Sequence, residues 1–147
     1  MTDKLLIGSV EVCKLPAFGI EDLQMRVDTG AKTSSLHVDN LVHTKHDGVP
    51  YVEFDLHPDV YNFDQTVRCV APLFDTRRIK SSNGEVERRS VIKTQLELAH
   101  HLWDIEITLS NREGMSYPML LGREAMIGRV IVDPGESFLA SNEPDEL

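Results

Sequence analysis

Apolar and polar positions alternate along most of this chain with a period near two, the spacing of half-buried β-strands. The runs are short and separated by turn residues. Leu5 to Leu15 alternates loosely and stops at Pro16; Leu23 to Val27 leads into Asp28-Thr29-Gly30; Ser35 to Thr44 is closed by His46-Asp47-Gly48. Val49 to Leu56 ends at His57-Pro58, and Gln65 to Phe74, Glu87 to Leu98 and Trp103 to Leu109 complete the long runs. Trp103, with Leu102, Ile105 and Ile107, reads as core at strand spacing. Ser81-Ser82-Asn83-Gly84 is a hairpin turn between long arms, which predicts a flap able to fold over a cleft. Arg123 to Ile127, after Gly122, predicts a helix of one or two turns, and Arg129 to Val132 a last strand before Pro134-Gly135. The pattern predicts an all-β fold: a small closed barrel with a flap-type hairpin and one short C-terminal helix. The expected domain covers residues 1–136, and residues 137–147 read as an acidic, disordered tail.

Bulk properties narrow the function classes. The length of 147 residues suits one domain with a real core. No stretch approaches the roughly 18 apolar residues of a membrane span. The apolar run in MTDKLLIGSVEV is too short for a signal peptide. Cys13 and Cys69 lie in apolar runs without CxxC spacing, which reads as reduced core thiols in a cytoplasmic protein rather than a disulfide. A net charge of −9 argues against nucleic acid as the main partner. The charge is uneven, however. Arg77, Arg78, Lys80, Arg88, Arg89 and Lys93 stand together against only Glu85 and Glu87. A positive patch on an acidic protein invites an anionic ligand; a solvated loop is the plainer reading.

The candidate chemistry begins at Asp28. A Gly two residues after a strand-end Asp lets another chain approach the backbone closely, and the Thr29 hydroxyl can brace the loop through a neighbouring backbone group. The carboxylate is then carried on a rigid platform. Two such carboxylates within about 3 Å share a proton, so that one accepts from water while the other donates to a carbonyl. Three letters alone also fit a plain turn. A second element adds weight: Tyr117 to Gly128 is an apolar strand running through Gly122-Arg123 into a short helix.

Together, Asp28-Thr29-Gly30-Ala31, the hairpin and Leu120-Leu121-Gly122-Arg123, in that order, resemble the retropepsin-like aspartic peptidases. The longer stretches DTGAKTSSLH, RRIKSSNGEVERRSVIKT and LSNREGMSYPMLLGREA resemble one branch of them. That branch was once labelled ATP-dependent zinc proteases, is now regarded as retropepsin-like, and includes the RimB proteins, associated with a ribosomal-protein glutamate ligase. The resemblance runs from Ile7 to Pro134. It implies a retropepsin-like barrel with Asp28, Thr29 and Gly30 in the catalytic loop, Ala31 lending backbone to substrate, and Gly122 and Arg123 as structural neighbours. The chain has one such Asp, so the dyad is expected across a homodimer; Asp104, Glu106 and Glu124 are the weaker candidates within one chain. Lys32 departs from the retroviral pattern, which has an acid there, and places a cation by the cleft. Arg123 reads best as a buried arginine satisfying loop carbonyls.

Neither ATP nor zinc follows from the residues. There is no GxxxxGKS/T and no HExxH, and His43 with His46 falls short of the three ordered ligands a catalytic zinc needs. No cofactor or metal is expected. Lys32, Arg77, Arg78, Lys80, Arg88 and Arg89 are expected to hold an acidic peptide substrate; on an edge strand the same arginines would merely discourage aggregation. The resemblance implies trimming of glutamate tails on a ribosomal protein. The alternative is a non-catalytic binding module that regulates a glutamate ligase.

Overall fold

The computed structural model describes residues 3–58, 65–80, 84–111 and 116–143. Its strands, in chain order, are β1 (Leu5–Ile7), β2 (Val10–Leu15), β3 (Ile20–Asp28), β4 (Ser34–His37), β5 (Asp39–His46), β6 (Val49–Leu56), β7 (Val67–Pro72), β8 (Asp75–Lys80), β9 (Val86–Leu98), β10 (His101–Ser110), β11 (Met119–Gly122) and β12 (Val130–Val132). The order β10-β4-β11-β3-β2-β9, closed by pairing of β9 with β10, makes a ring of six strands. β8 hangs on β9 outside that ring. β5, β6 and β7 form a second, antiparallel sheet, and β1 pairs with β12 in parallel.

Alternation decides which side chains fill the ring. Leu23 and Met25 of β3, Ile92, Leu96 and Leu98 of β9, and Ile105, Ile107 and Leu109 of β10 all turn inward and are buried. β6 adds Val52, Phe54 and Leu56 from the second sheet, with Phe54 meeting Phe18 edge-on at 5.8 Å between ring centroids. Each fully buried side chain of this size contributes about 1.5–3 kcal/mol. Leu102 is half exposed and stands apart from this core, unlike Trp103.

Three expectations are revised. The run Ser35 to Thr44 is two strands, because β4 joins the barrel and β5 the second sheet; the chain swings between them at Val38, and Asn40 follows with a left-handed φ of 53°. The expected helix after Gly122 is one 3-10 turn, Arg123–Ala125, ended where Met126 N–H bonds back to Arg123 O and Gly128 takes a left-handed φ of 78°. The expected tail does not begin at Ser137. Phe138 N–H donates to Val10 O, Val12 N–H donates to Ser141 Oγ, and the Leu139 and Ala140 amides donate to Glu11, so the chain is held against β2 through Ser141. Residues 81–83 of the expected hairpin turn, 112–115 of the third motif and 144–147 of the tail lie outside the described residues. Among the described residues, no helix is long and apolar enough to cross a membrane.

Candidate active site

Asp28 is the last residue of β3, directly opposite Gly122 on the parallel strand β11. Its position is fixed by a loop that closes on itself and is then clamped from β11. Gly30 N–H donates to Asp28 Oδ1 at 2.9 Å, and Ala31 N–H donates to Asp28 O at 3.2 Å. From the other side, Arg123 N–H donates to Ala31 O (2.8 Å) and Glu124 N–H to Lys32 O (3.1 Å). The Arg123 guanidinium reaches back to the Gly30 and Thr29 carbonyls at 3.2 and 3.5 Å. Backbone groups in a loop must find partners, and here most find them in the turn that follows β11.

Gly122 explains how the clamp closes. A Cβ at this position would stand 2.5 Å from the Thr33 carbonyl carbon and 2.8 Å from the Ser34 nitrogen, both main-chain atoms. The absent side chain lets β11 lie against the end of the Asp28 loop, with Gly122 N–H donating to Ser34 Oγ at 3.0 Å. The Asp28 carboxylate is half-buried, while Thr29 and Gly30 are exposed. The Thr29 hydroxyl, expected to brace its own loop, makes no hydrogen bond among the described residues. A groove of about 320 Å³ opens next to the loop, between Thr33, Trp103 and Glu124.

The carboxylates considered as partners for Asp28 have other engagements. Glu124 faces Lys32 at 3.7 Å, and Glu106 is hydrogen-bonded by Arg77; Asp104 is exposed on β10 and lines the groove. The Lys32 ammonium is thus part of an exposed ion pair beside the loop. Arg123 bonds loop carbonyls but is exposed, not buried.

The hairpin cations divide into two sets. Strand pairing puts Arg77 opposite Arg89 and Arg78 opposite Arg88. Arg77 is held by Asp75 at 2.9 Å and by Glu106, and the Glu106 hydrogen bond raises its pKa further. Arg89 is 8% exposed and lies 3.4 Å from Glu87. These two are fastened within the hairpin and its neighbour strand, against the expectation that they hold substrate. Arg78, Lys80 and Arg88 are exposed and have no carboxylate partner among the described residues.

Sequence reasoning passed over two clusters. Glu11 is fully buried, and its carboxylate accepts from Gly8 N–H, Leu139 N–H, Ala140 N–H and the Ser141 hydroxyl at 2.6–3.1 Å. The signal was available: Glu11 shares strand parity with buried Cys13 and Leu15. Asp39 accepts from Asn111 at 2.8 Å and pairs with His57 at 2.7 Å, tying β5 to the ends of β6 and β10. His43 and His46, three apart on β5, face different partners, Ser90 at 3.0 Å and the Tyr51 ring. No group of three or more His, Cys, Asp or Glu stands together as a metal site among the described residues.

Comparison with known proteins identifies relatives of the chain. The chain is 47% identical over 143 residues to a probable alpha-L-glutamate ligase of Shewanella halifaxensis, covering 97% of this chain and 31% of that protein. It is 50% identical over 131 residues to another from Desulfotalea psychrophila, covering 89% and 28%. The chain thus spans about a third of the length of these relatives. Its fold matches the crystal structure of Lpg0085, a Legionella pneumophila protein of unknown function, with a TM-score of 0.78 and 28% identity over 93% of this chain and 98% of that one. The sequence profile of the RimB-like family, described as retropepsin-like aspartic endopeptidase RimB, matches residues 6–143. A profile of that extent decides the relationship: this chain belongs to the RimB-like family.

Proposed function

We propose that the chain is an aspartic-type peptidase that hydrolyses acidic, glutamate-rich chains, with Asp28 meeting its own copy across a homodimer. The observation that carries this reading is the clamped loop. It holds one Asp28 oxygen on Gly30 N–H and leaves the Thr29 hydroxyl without a partner among the described residues. A twofold mate would supply both missing elements, a second carboxylate and a second Thr29 to brace the pair. The dyad then holds one proton between two acids. The ionised carboxylate takes a proton from water as its oxygen bonds to the peptide carbon, and the protonated one donates to the carbonyl oxygen. Collapse of the resulting diol transfers a proton to the leaving nitrogen, breaks the C–N bond and restores the shared proton. Gly30 and Ala31 would lend backbone groups to the substrate.

The substrate class rests on the exposed hairpin cations of an otherwise acidic protein. The glutamate ligase names of longer relatives fit it as well, because an enzyme that adds glutamates makes a tail that another can trim. On this reading the protein works in the cytoplasm, and a ribosomal protein with a glutamate tail is the fitting target. The test is Asp28→Asn assayed on a glutamate-tailed peptide, alongside sedimentation for oligomeric state. Cleavage by wild type, lost in the variant, together with a dimer, is the expected outcome. Equal cleavage by both proteins, or full activity in a strict monomer, would refute the proposal.

A second reading is favoured by one observation: nearly all of this chain aligns inside relatives named as ligases. There it would serve as a non-catalytic module regulating a glutamate ligase. If ligase activity responds alike to wild type and Asp28→Asn while no peptide is cut, that reading prevails.

A further inference from the structure

The closed ring leaves β8 outside. It pairs with β9 on one side and, among the described residues, with no strand on the other; Thr76 N–H is taken by Asp75 Oδ1 at 2.8 Å, and no described strand covers the edge from Arg77 to Lys80. Proteins guard such edges, commonly with charge, or use them to capture an extended chain. The distribution of charge distinguishes these cases here.

On one face of the hairpin, each guanidinium has its own carboxylate, as Arg77 has Asp75 and Glu106, and Arg89 has Glu87. On the other face, Arg78 stands directly across from Arg88, with Lys80 two residues further along, and none of the three has a carboxylate partner among the described residues. Like charges set opposite one another destabilise a strand pair. The chain carries 24 acidic residues and so has ample means to compensate them. Guarding an edge requires a charge, not an opposed and uncompensated set. Spacing supplies the second argument. Arg78 and Lys80 share a face about 7 Å apart, and an extended chain presents alternate side chains at that same interval.

We propose that β8 is a docking edge for an extended acidic peptide. The peptide adds as a further strand beside β8 and sets carboxylates of residues i and i+2 on Arg78 and Lys80. Arg88, about two strand spacings or 10 Å from the added chain, raises the local positive potential without forking onto it. Arg77 and Arg89 serve the hairpin itself. The inference takes its ligand class from the acidic-substrate reading above, but docking does not require Asp28 to react.

The experiment uses full-length protein carrying Asp28→Asn and fluorescein-labelled octaglutamate, followed by anisotropy at about 50 mM NaCl. Arg78→Glu and Lys80→Glu are expected to weaken binding at least tenfold and Arg88→Glu several-fold. Lys45→Glu, the same charge change on β5, should stay within twofold. Arg88→Glu should also raise the melting temperature, since it converts an opposed pair into an attractive one; Arg78→Gln and Lys80→Gln provide milder variants. Octaglutamate methylated at alternate amide nitrogens should bind at least tenfold more weakly. Equal binding by the charge variants, undiminished binding of the methylated peptide, or equally tight binding of octathymidylate would each overturn the docking edge. Cleavage by wild type without such capture would sink this proposal and leave the peptidase standing; capture without cleavage would do the reverse.

Discussion

Replacing Glu11 should release the C-terminal segment from the barrel, and the structure sets the size of the effect. The buried carboxylate accepts four hydrogen bonds, with Oε2 taking Gly8 and Leu139 N–H and Oε1 taking Ala140 N–H and the Ser141 hydroxyl. At about 1.5–3 kcal/mol for each bond to a charged group, a plain sum gives roughly 6–12 kcal/mol. Two effects reduce it. Removing the carboxylate recovers the cost of burying it, and residues 138–141 can lift into water so that their amides are not left unpaired. For Glu11→Ala the expected loss is therefore about 2–4 kcal/mol. At roughly 2–4 °C per kcal/mol for a domain near this size, the melting temperature should fall by about 5–15 °C. Glu11→Gln should cost less. Its amide group can turn toward Ser141, whose hydroxyl reverses to accept, leaving only Ala140 N–H opposed; a loss of about 1–3 kcal/mol follows. Thermal unfolding by circular dichroism measures the first effect, and hydrogen exchange at Leu139 and Ala140 the second. A melting point unmoved by Glu11→Ala, with both amides still protected, would refute the assignment of Glu11 as the anchor.

Three further predictions concern the site and its scaffold. Gly122→Ala drives a Cβ into Thr33 and Ser34 main chain; a loss of about 1–3 kcal/mol is expected, and NMR shifts at Gly30 and Ala31 should move, whereas wild-type stability would contradict the close approach. Asp55, hydrogen-bonded by Asn40 and then Arg68, has its pKa lowered in the folded state. It therefore adds stability above the ordinary value of about 3.9, and that contribution is lost as pH falls through the lower folded value. The melting-temperature gap between wild type and Asp55→Asn should accordingly be widest near neutrality and close in acid; a constant gap would count against the assignment. Burial pushes the Cys13 and Cys69 thiols up to about 12, so a thiol reagent at about pH 8 should label neither until the protein is unfolded; rapid labelling of the native protein would contradict that burial.

Much of the barrel was legible in the sequence because two-residue alternation reports directly on a sheet with one wet face. Leu23, Met25, Ile105 and Ile107 sit where that pattern puts them. The break between β4 and β5 was hidden, since apolar spacing continues through Val38 while the strands change sheets. Three residues of 3-10 turn at Arg123–Ala125 cannot be told from the start of a helix when the next residues are helix-compatible. Asp28 stood out through its turn residues, and Gly122 through its place before Arg123. Partnerships among charges were not legible. Lys32 with Glu124, Arg77 with Glu106, and Glu11 with residues 139–141 join positions 29 to 130 apart in sequence, and no local pattern encodes such pairings.

β9 is 13 residues long and serves two structures that overlap at Ser90 and Val91, β8 along Val86–Val91 and β10 along Ser90–Leu98. Its far half completes the barrel wall, so its near half projects as a cantilever whose root is fixed by the ring. Lengthening or trimming the projecting arm alters reach without reopening the wall. Sequence change can therefore accumulate in the arm while the closed wall is inherited intact.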